Sequence, residues 1–206
     1  MNKFDQIPTI FTAIDLELNN LNSISKIIEI GICIKDIKND TILHKESIYI
    51  NPKEKLTPYI KQLTRIKQEQ VDNGIDIISG YNKVCRLHNK YNSFVNPITW
   101  GQGDLEALNK AVYTPWNRLL HRFGLKHIEK WPFGRRIIDV KTLYISYRLA
   151  QDKPMSGGLA KALTKVGLAF KGTIHSASDD CVNTLSMFSV LLKLFKNDKV
   201  IKGDKK

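Results

Sequence analysis

Apolar and polar positions along the 206-residue chain change their period several times. Residues 9–16 (TIFTAIDL) form an apolar run that predicts a short buried strand. Residues 27–37 (IIEIGICIKDI) are β-branched and partly alternating, and predict a second strand. Residues 41–50 (TILHKESIYI) predict a third. Asn39-Asp40 between these two is a turn signal, so the pair reads as an antiparallel hairpin. Asn51-Pro52 ends the third strand, because proline cannot donate to a ladder. From 56 to 90 the pattern is mostly helical. Leu63, Ile66 and Gln70-Val71 mark one short helix, Asn73-Gly74 punctuates it, and 75–90 make another. Residues 95–100 (VNPITW) predict a fourth strand ending at Gly101-Gln-Gly103, followed by a helix from Asp104 to Tyr113. Residues 135–140 (RRIIDV) predict a fifth strand running into a helix over 140–150. Gly157-Gly158 opens a helix over 159–167. The last helix spans 176–196, with Val182, Leu185, Met187-Phe188, Leu191-Leu192 and Phe195 spaced to give one buried face.

Three strands, then helices alternating with two more strands, predict an α/β fold: a mixed five-stranded sheet flanked by helices. No repeat or long linker divides the chain, so one domain over 1–195 is expected, with a Lys-rich, flexible tail over 196–206. Hydrophobic residues make up 42% of the sequence, enough for a sizeable core. Charge changes the picture. Thirty-two Lys and Arg against 20 Asp and Glu leave a net charge of +12, which attracts polyanions, nucleic acid foremost. Cys33, Cys85 and Cys181 are scattered, with no Cys-x-x-Cys pair to suggest zinc or redox chemistry. No uncharged run approaches the roughly 18 residues of a membrane span. Asp5, Asp15 and Glu17 interrupt any signal-peptide core. The expectation is a soluble intracellular protein, cytoplasmic by default.

The candidate chemistry lies in five residues. Asp15 and Glu17 end the first apolar run, and alternation along a strand turns both to one face. Asp104 follows Trp100-Gly-Gln-Gly103, and His175-Ser-Ala-Ser-Asp-Asp180 opens the last helix. In open sheets of this kind, ligands bind at the carboxyl ends of strands. Five positions on a helix leave an offset of roughly 140°, so His175 is expected before the helix and Asp180 inside its first turns. Ser176-Ala-Ser-Asp179 resembles a capping box at that boundary. Four carboxylates suit hard divalent cations, and two such ions about 3.5–4 Å apart support phosphodiester hydrolysis. A histidine beside them suits a general base. His44, His88, His121 and His127 read as structural or exposed.

These motifs resemble the DEDDh 3′–5′ exonucleases, which have a ribonuclease-H-like fold. Asp15-Leu-Glu17 matches the family's first motif, Asp104 the second, and His175 with Asp180 the third, where the spacing selects Asp180 over Asp179. Lys26-Ile-Ile-Glu-Ile-Gly31 resembles the family's second strand, and the stretch from Asn51-Pro52 through Leu63-Thr-Arg-Ile66 the segment after the third. Trp100-Gly-x-x-Asp104 is most similar to exoribonucleases that trim histone-mRNA and small-interfering-RNA 3′ ends, and to their bacterial relatives.

The resemblance implies two divalent metal ions, Mg²⁺ or Mn²⁺, held by Asp15, Glu17, Asp104 and Asp180, with His175 as the base. It implies nucleic acid as substrate, RNA before DNA, cut from the 3′ end to nucleoside monophosphates. Two departures stand out. Leu18-Asn19-Asn20 follows Glu17 where many members carry Thr-Thr-Gly, so end recognition differs there. Arg65 stands where a glycine is frequent, so that turn is expected to be built otherwise. Leu18, Asn19, Trp100, Arg135 and Arg136 are candidate substrate contacts; Leu18 could wedge against the last base or pack in the core. Trp100, Trp116, Trp131 and Phe133 are stacking or core candidates, and Arg118–Arg136 is a candidate backbone-binding patch. A DNA exonuclease and a catalytically silent RNA- or protein-binding module on the same fold are the alternatives.

Overall fold

The structure, a computed structural model, describes residues 7–21, 24–154 and 157–197. Five strands form one sheet in the order β3-β2-β1-β4-β5. They are β1 (Ile10–Leu21), β2 (Ile24–Asp36), β3 (Thr41–Tyr49), β4 (Ile98–Thr99) and β5 (Ile138–Asp139). β1, β2 and β3 pair antiparallel, while β4 joins β1 in parallel and β5 joins β4 in parallel. The mixed sheet and the β2–β3 hairpin agree with the sequence reading. β1 does not: it runs to Leu21, five residues past the predicted end. β4 and β5 are shorter than predicted, two residues each.

Helices cover both faces. α3 (Ile77–Lys90) and α4 (Gly103–Val112) cover one, packing Tyr81, Val84, Leu105 and Leu108 on Ile14, Ile30 and Ile32. α6 (Val140–Leu149), α7 (Leu159–Lys165) and α8 (Ala177–Asn197) cover the other, packing Val140, Leu163, Leu185 and Met187 on Phe11, Ala13 and Cys33. α1 (Pro58–Thr64) and α2 (Gln68–Asp72) close the edge around Ile28. α5 (Pro115–Arg122), absent from the sequence reading, buries none of its residues. Lys196 and Asn197 complete α8, and the rest of the expected Lys-rich tail lies outside the described residues.

Arg65 corrects one expectation. It keeps the left-handed conformation that glycine favours, at φ 62° and ψ 10°, and its N–H closes α1 on the Lys61 carbonyl. The turn is therefore built in the usual way, with the strain of a side chain added. No helix among the described residues is long and apolar enough to cross a membrane.

Candidate active site

Odd positions of β1 face α8. Phe11 and Ala13 pack beneath it, and the alternation carries Asp15 and Glu17 to the same side. β4 meets β1 at Ala13 and stops at Thr99, so the two acids project past its carboxyl end. They lie within β1, not at its end, yet remain at the carboxyl end of the parallel pair. Opposite them on β2 stand Gly31, paired with Asp15, and Glu29, paired with Glu17. The register shifts immediately after Glu17, a β-bulge of the kind found beside functional sites.

Gly31 lets α8 come close. A Cβ there would lie 2.1 Å from the Ala177 carbonyl carbon and 2.5 Å from the Ser178 nitrogen. α8 therefore starts directly over the acids. Asp180 lies in its first turn, with its N–H on the Ser176 carbonyl at 2.9 Å. His175 precedes the helix in a left-handed conformation, φ 63°, and its N–H donates to Asp180 Oδ2 at 3.1 Å. The expected capping box does not form. Asp179 accepts instead from the Thr173 N–H at 2.8 Å and pairs with Lys45, while the Ser176 N–H goes to the Thr173 carbonyl. Asp179 thus holds the loop, leaving Asp180 for the cleft.

Asp15, Glu17, Trp100, His175 and Asp180 line one cleft of about 380 Å³, whose apolar wall includes Leu159, Phe170 and Ile174. One ligand atom from each of Glu17, His175 and Asp180 falls within 4.8 Å of the others. Asp104 opens α4 near enough to act electrostatically on Asp15 and Glu17. Gly101, at φ 112°, lets the loop after β4 turn toward it, and the Gly101 N–H donates to Asp139 Oδ1 at 3.1 Å.

The carboxyls burden one another. Burial, then Asp104, Asp180, Glu17 and Glu29, holds Asp15 well above the usual carboxylate range. Glu17 is pushed up to about 8 by burial, then by Glu29, Asp180 and Asp104. Asp180 rises to about 7 by burial, against the His175 N–H bond, with Asp179 and Glu29 adding to the rise. Burial takes Asp104 to about 6. No ion pair among the described residues includes any of these four. A half-buried acid cluster with no ion-pair partner among the described residues fits hard cations, which take carboxylate oxygens as ligands.

Two positioning residues escaped the sequence reading. Glu29 is 1% exposed and holds the start of α8 through the Ala177 N–H, at 3.4 Å, while its Oε1 has no partner among the described residues. Asp139 caps α6 through the Thr142 N–H and ties down the Gly101 loop. Glu29 interrupts the apolar run of β2, a signal that was visible; Asp139 gave none apart from its place before a helix.

The substrate candidates separate. Asn19 is fully buried and spends its amide on Glu54, the Lys55 carbonyl and the Thr57 N–H, so it holds a loop and is withdrawn from substrate. Leu18 faces the other side of the sheet, against the core of Ile14 and Leu16, because alternation sends it away from Glu17. Trp100 lines the cleft and packs on Tyr144. Arg135 and Arg136 are exposed; Arg135 lines a recess beside Leu105 and Trp131, outside the cleft. Trp131 stacks on Tyr81 and meets buried Phe133 edge-on, so both are packing residues. Trp116 is 65% exposed. His88 is buried against Thr12, with burial lowering its imidazole to about 4.

The fold and this cleft define a DEDDh nuclease of the ribonuclease-H-like superfamily, a hydrolytic 3′–5′ exonuclease. The RNase T family model, described as exonuclease, matches residues 12–188, and the chain belongs to that family. It is 31% identical over 191 residues to a probable 3′-5′ exonuclease, KapD, of Bacillus subtilis, covering 92% of this chain and 82% of that one. It is 27% identical to ERI1 exoribonuclease 2 of Mus musculus, covering 79% of this chain and only 25% of that longer protein. The nuclease domain of 3′hExo, a DEDDh family member bound to rAMP, superposes with a TM-score of 0.70 at 20% identity, over 92% of this chain and 94% of that one.

Proposed function

We propose that residues 1–195 form one domain that shortens single-stranded RNA from its 3′ end, releasing nucleoside 5′-monophosphates. The observation that carries this is the convergence of Asp15, Glu17, His175 and Asp180 on one cleft, with no ion pair to these acids among the described residues. Asp15, Glu17 and Asp180 would hold one divalent cation, and Asp15 with Asp104 a second; Mg²⁺ and Mn²⁺ both suit the oxygen set. Bound cations would supply charge to offset the attacking and leaving oxygens and lower the pKa of the attacking water.

The chain's own groups do the rest. His175, exposed at the cleft rim and tethered by its N–H to Asp180, takes the proton from the attacking water. Trp100, Leu159 and Phe170 give the terminal nucleotide an apolar wall. Glu29 and Gly31 keep the start of α8 seated over the acids. RNA is favoured over DNA because ERI1 relatives are named exoribonucleases. Three free, buried cysteines suit a reducing compartment such as the cytoplasm.

The test uses 5′-labelled single-stranded RNA and its DNA counterpart with Mg²⁺, Mn²⁺ or EDTA, beside the Asp15→Asn protein. A ladder shortening from the 3′ end, lost with EDTA and in the variant, is expected. Faster loss of DNA would overturn the RNA preference. Full activity in Asp15→Asn would overturn the metal-site assignment.

A further inference from the structure

Surface helices ordinarily turn their apolar stripe toward the core. α5 turns only Leu120 inward and leaves its other apolar residues outside. Trp116, Leu119 and Phe123, spaced three and four residues apart, share one face and are 65%, 43% and 68% exposed. On the inner side Asn117 and Leu120 are half-buried, and Asn117 donates to the Val112 carbonyl at 2.9 Å; His121, itself exposed, accepts on Nδ1 from the Ile128 N–H at 3.2 Å. Leu125, just after the helix, extends the apolar surface and is 71% exposed.

Charge narrows what could cover this face. No Asp or Glu occurs between Glu106 and Glu129, while Lys110, Arg118, Arg122 and Lys126 do. Arg118 and Arg122 lie one turn apart, exposed, and in none of the ion pairs among the described residues. A polyanion that also carries flat apolar faces is an unpaired nucleic acid strand, whose bases stack on aromatic rings while arginines take its phosphates.

Position agrees. Asp104 opens α4 and α5 follows α4's far end, so one helix length, about 15 Å at 1.5 Å per residue, separates the two. A few nucleotides of an unpaired strand, which extends further per residue than the roughly 3.4 Å rise of a duplex strand, would cover that distance.

We propose that the outward face of α5, with Trp116, Leu119 and Phe123 beside Arg118 and Arg122, is a second binding site for the upstream part of a single strand whose 3′ end lies in the acidic cleft. This rests on the exonuclease reading above. The site makes strand length a determinant of affinity and leaves the chemical step alone.

The experiment compares the full chain with a Trp116→Ala/Phe123→Ala variant and an Arg118→Gln/Arg122→Gln variant. Substrates are a single strand of about ten nucleotides, which reaches α5 even at the roughly 3.4 Å rise of a duplex strand, and a dinucleotide. In the aromatic variant KM for the long strand should rise about tenfold or more, in the range expected for losing one or two stacked bases; in the arginine variant KM should rise and depend less steeply on salt; kcat should be unchanged in both. Dinucleotide kinetics should not move. In EDTA, where the strand stays intact, it should quench an emission component that Trp116→Phe removes. Unchanged KM for the long strand, or equal shifts on both substrates, would overturn the proposal. So would a Trp116 signal that responds to phosphatidylserine vesicles or to protein concentration and not to the strand. If the wild type cleaves neither substrate, the exonuclease reading fails, and the binding signal in EDTA still decides the role of α5.

Discussion

The acidic cleft and the outer face of α5 lie beyond opposite ends of α4, and each inverts what a protein surface ordinarily does. The cleft is lined by three carboxyls, with that of Asp104 near enough to act on Asp15 and Glu17, all half-buried or buried, in a chain of net charge +12. α5 exposes a Trp, a Leu and a Phe in a stretch without acids. Lys161 is the one Lys or Arg among the residues lining the cleft, so most of the positive excess lies elsewhere. Under the two proposals above, attraction of a polyanion and chemistry on it fall to separate surfaces, and the like charges of the cleft call for cations. The two regions also differ in support. The cleft is lined by β1, Trp100 after β4, the start of α7 and the loop into α8, whereas no residue of α5 is fully buried.

The strongest way to separate chemistry from binding is His175→Ala. Turnover should fall about 10²–10⁴-fold, the usual worth of a positioned proton transfer. The rise in melting temperature on adding Mg²⁺ should remain. Because His175 stands within ligand distance of Glu17 and Asp180, loss of that rise would make it a ligand instead of a base. Gly31→Ala tests the support of the cleft. Its Cβ would collide with the Ala177 and Ser178 backbone, so α8 must shift at the residues that carry His175 and Asp180. Overpacking of this kind costs about 1–3 kcal/mol. Turnover measured on the folded variant should drop at least as far as its stability suggests; wild-type turnover would show that α8 need not sit so close.

The site was more legible than its supports. Asp15, Glu17, His175 and Asp180, which the structure brings to one cleft, and Asp104 beside it stand out in the sequence because each sits at a local transition: an acid in an apolar run, a Gly-rich turn, the start of a helix. Glu29 needs the β1–β2 register to be seen facing Glu17, and register is a property of two segments. Asn19 was misjudged because β1 was ended too early; its side chain serves the loop at Glu54–Thr57, a contact made 35 and more residues away. β4 and β5 survive with two residues each because neighbouring strands and helices hold them. α5 escaped because its stripe is only eight residues long and points outward, where periodicity alone says nothing about a core.

A third test turns on the charge of the cleft without metal. In the unfolded chain Glu17 and Asp180 lose their protons near pH 4. In the folded chain they hold them to about 8 and about 7. Between about pH 5 and 8 the folded state thus binds more protons, and its stability falls as pH rises. Glu46 and Asp76, whose carboxyls are held below their usual range by partners including Lys83 and Lys126, titrate beneath this window. In EDTA the melting temperature should be higher at pH 5 than at pH 8. Asp180→Asn should raise the value at pH 8 by roughly 2–4 °C for each kcal/mol of relieved repulsion. A metal-free protein that melts higher at pH 8 would contradict the burdened cleft.

The smallest effect expected comes from the other region. Thr114 caps α5, its Oγ accepting from the Asn117 N–H at 3.1 Å. Thr114→Ala should cost the helix about 1 kcal/mol, so hydrogen exchange across 117–122 should speed up about fivefold. Because α5 contributes no buried residue, the loss should stay local and the global melting temperature should hold. A global drop of several degrees would mean that α5 is part of the cooperative core and that its apolar face is a by-product of packing. A local loss, with weaker binding of long strands and unchanged dinucleotide turnover, would show a platform hung on the domain and tuned independently of the cleft.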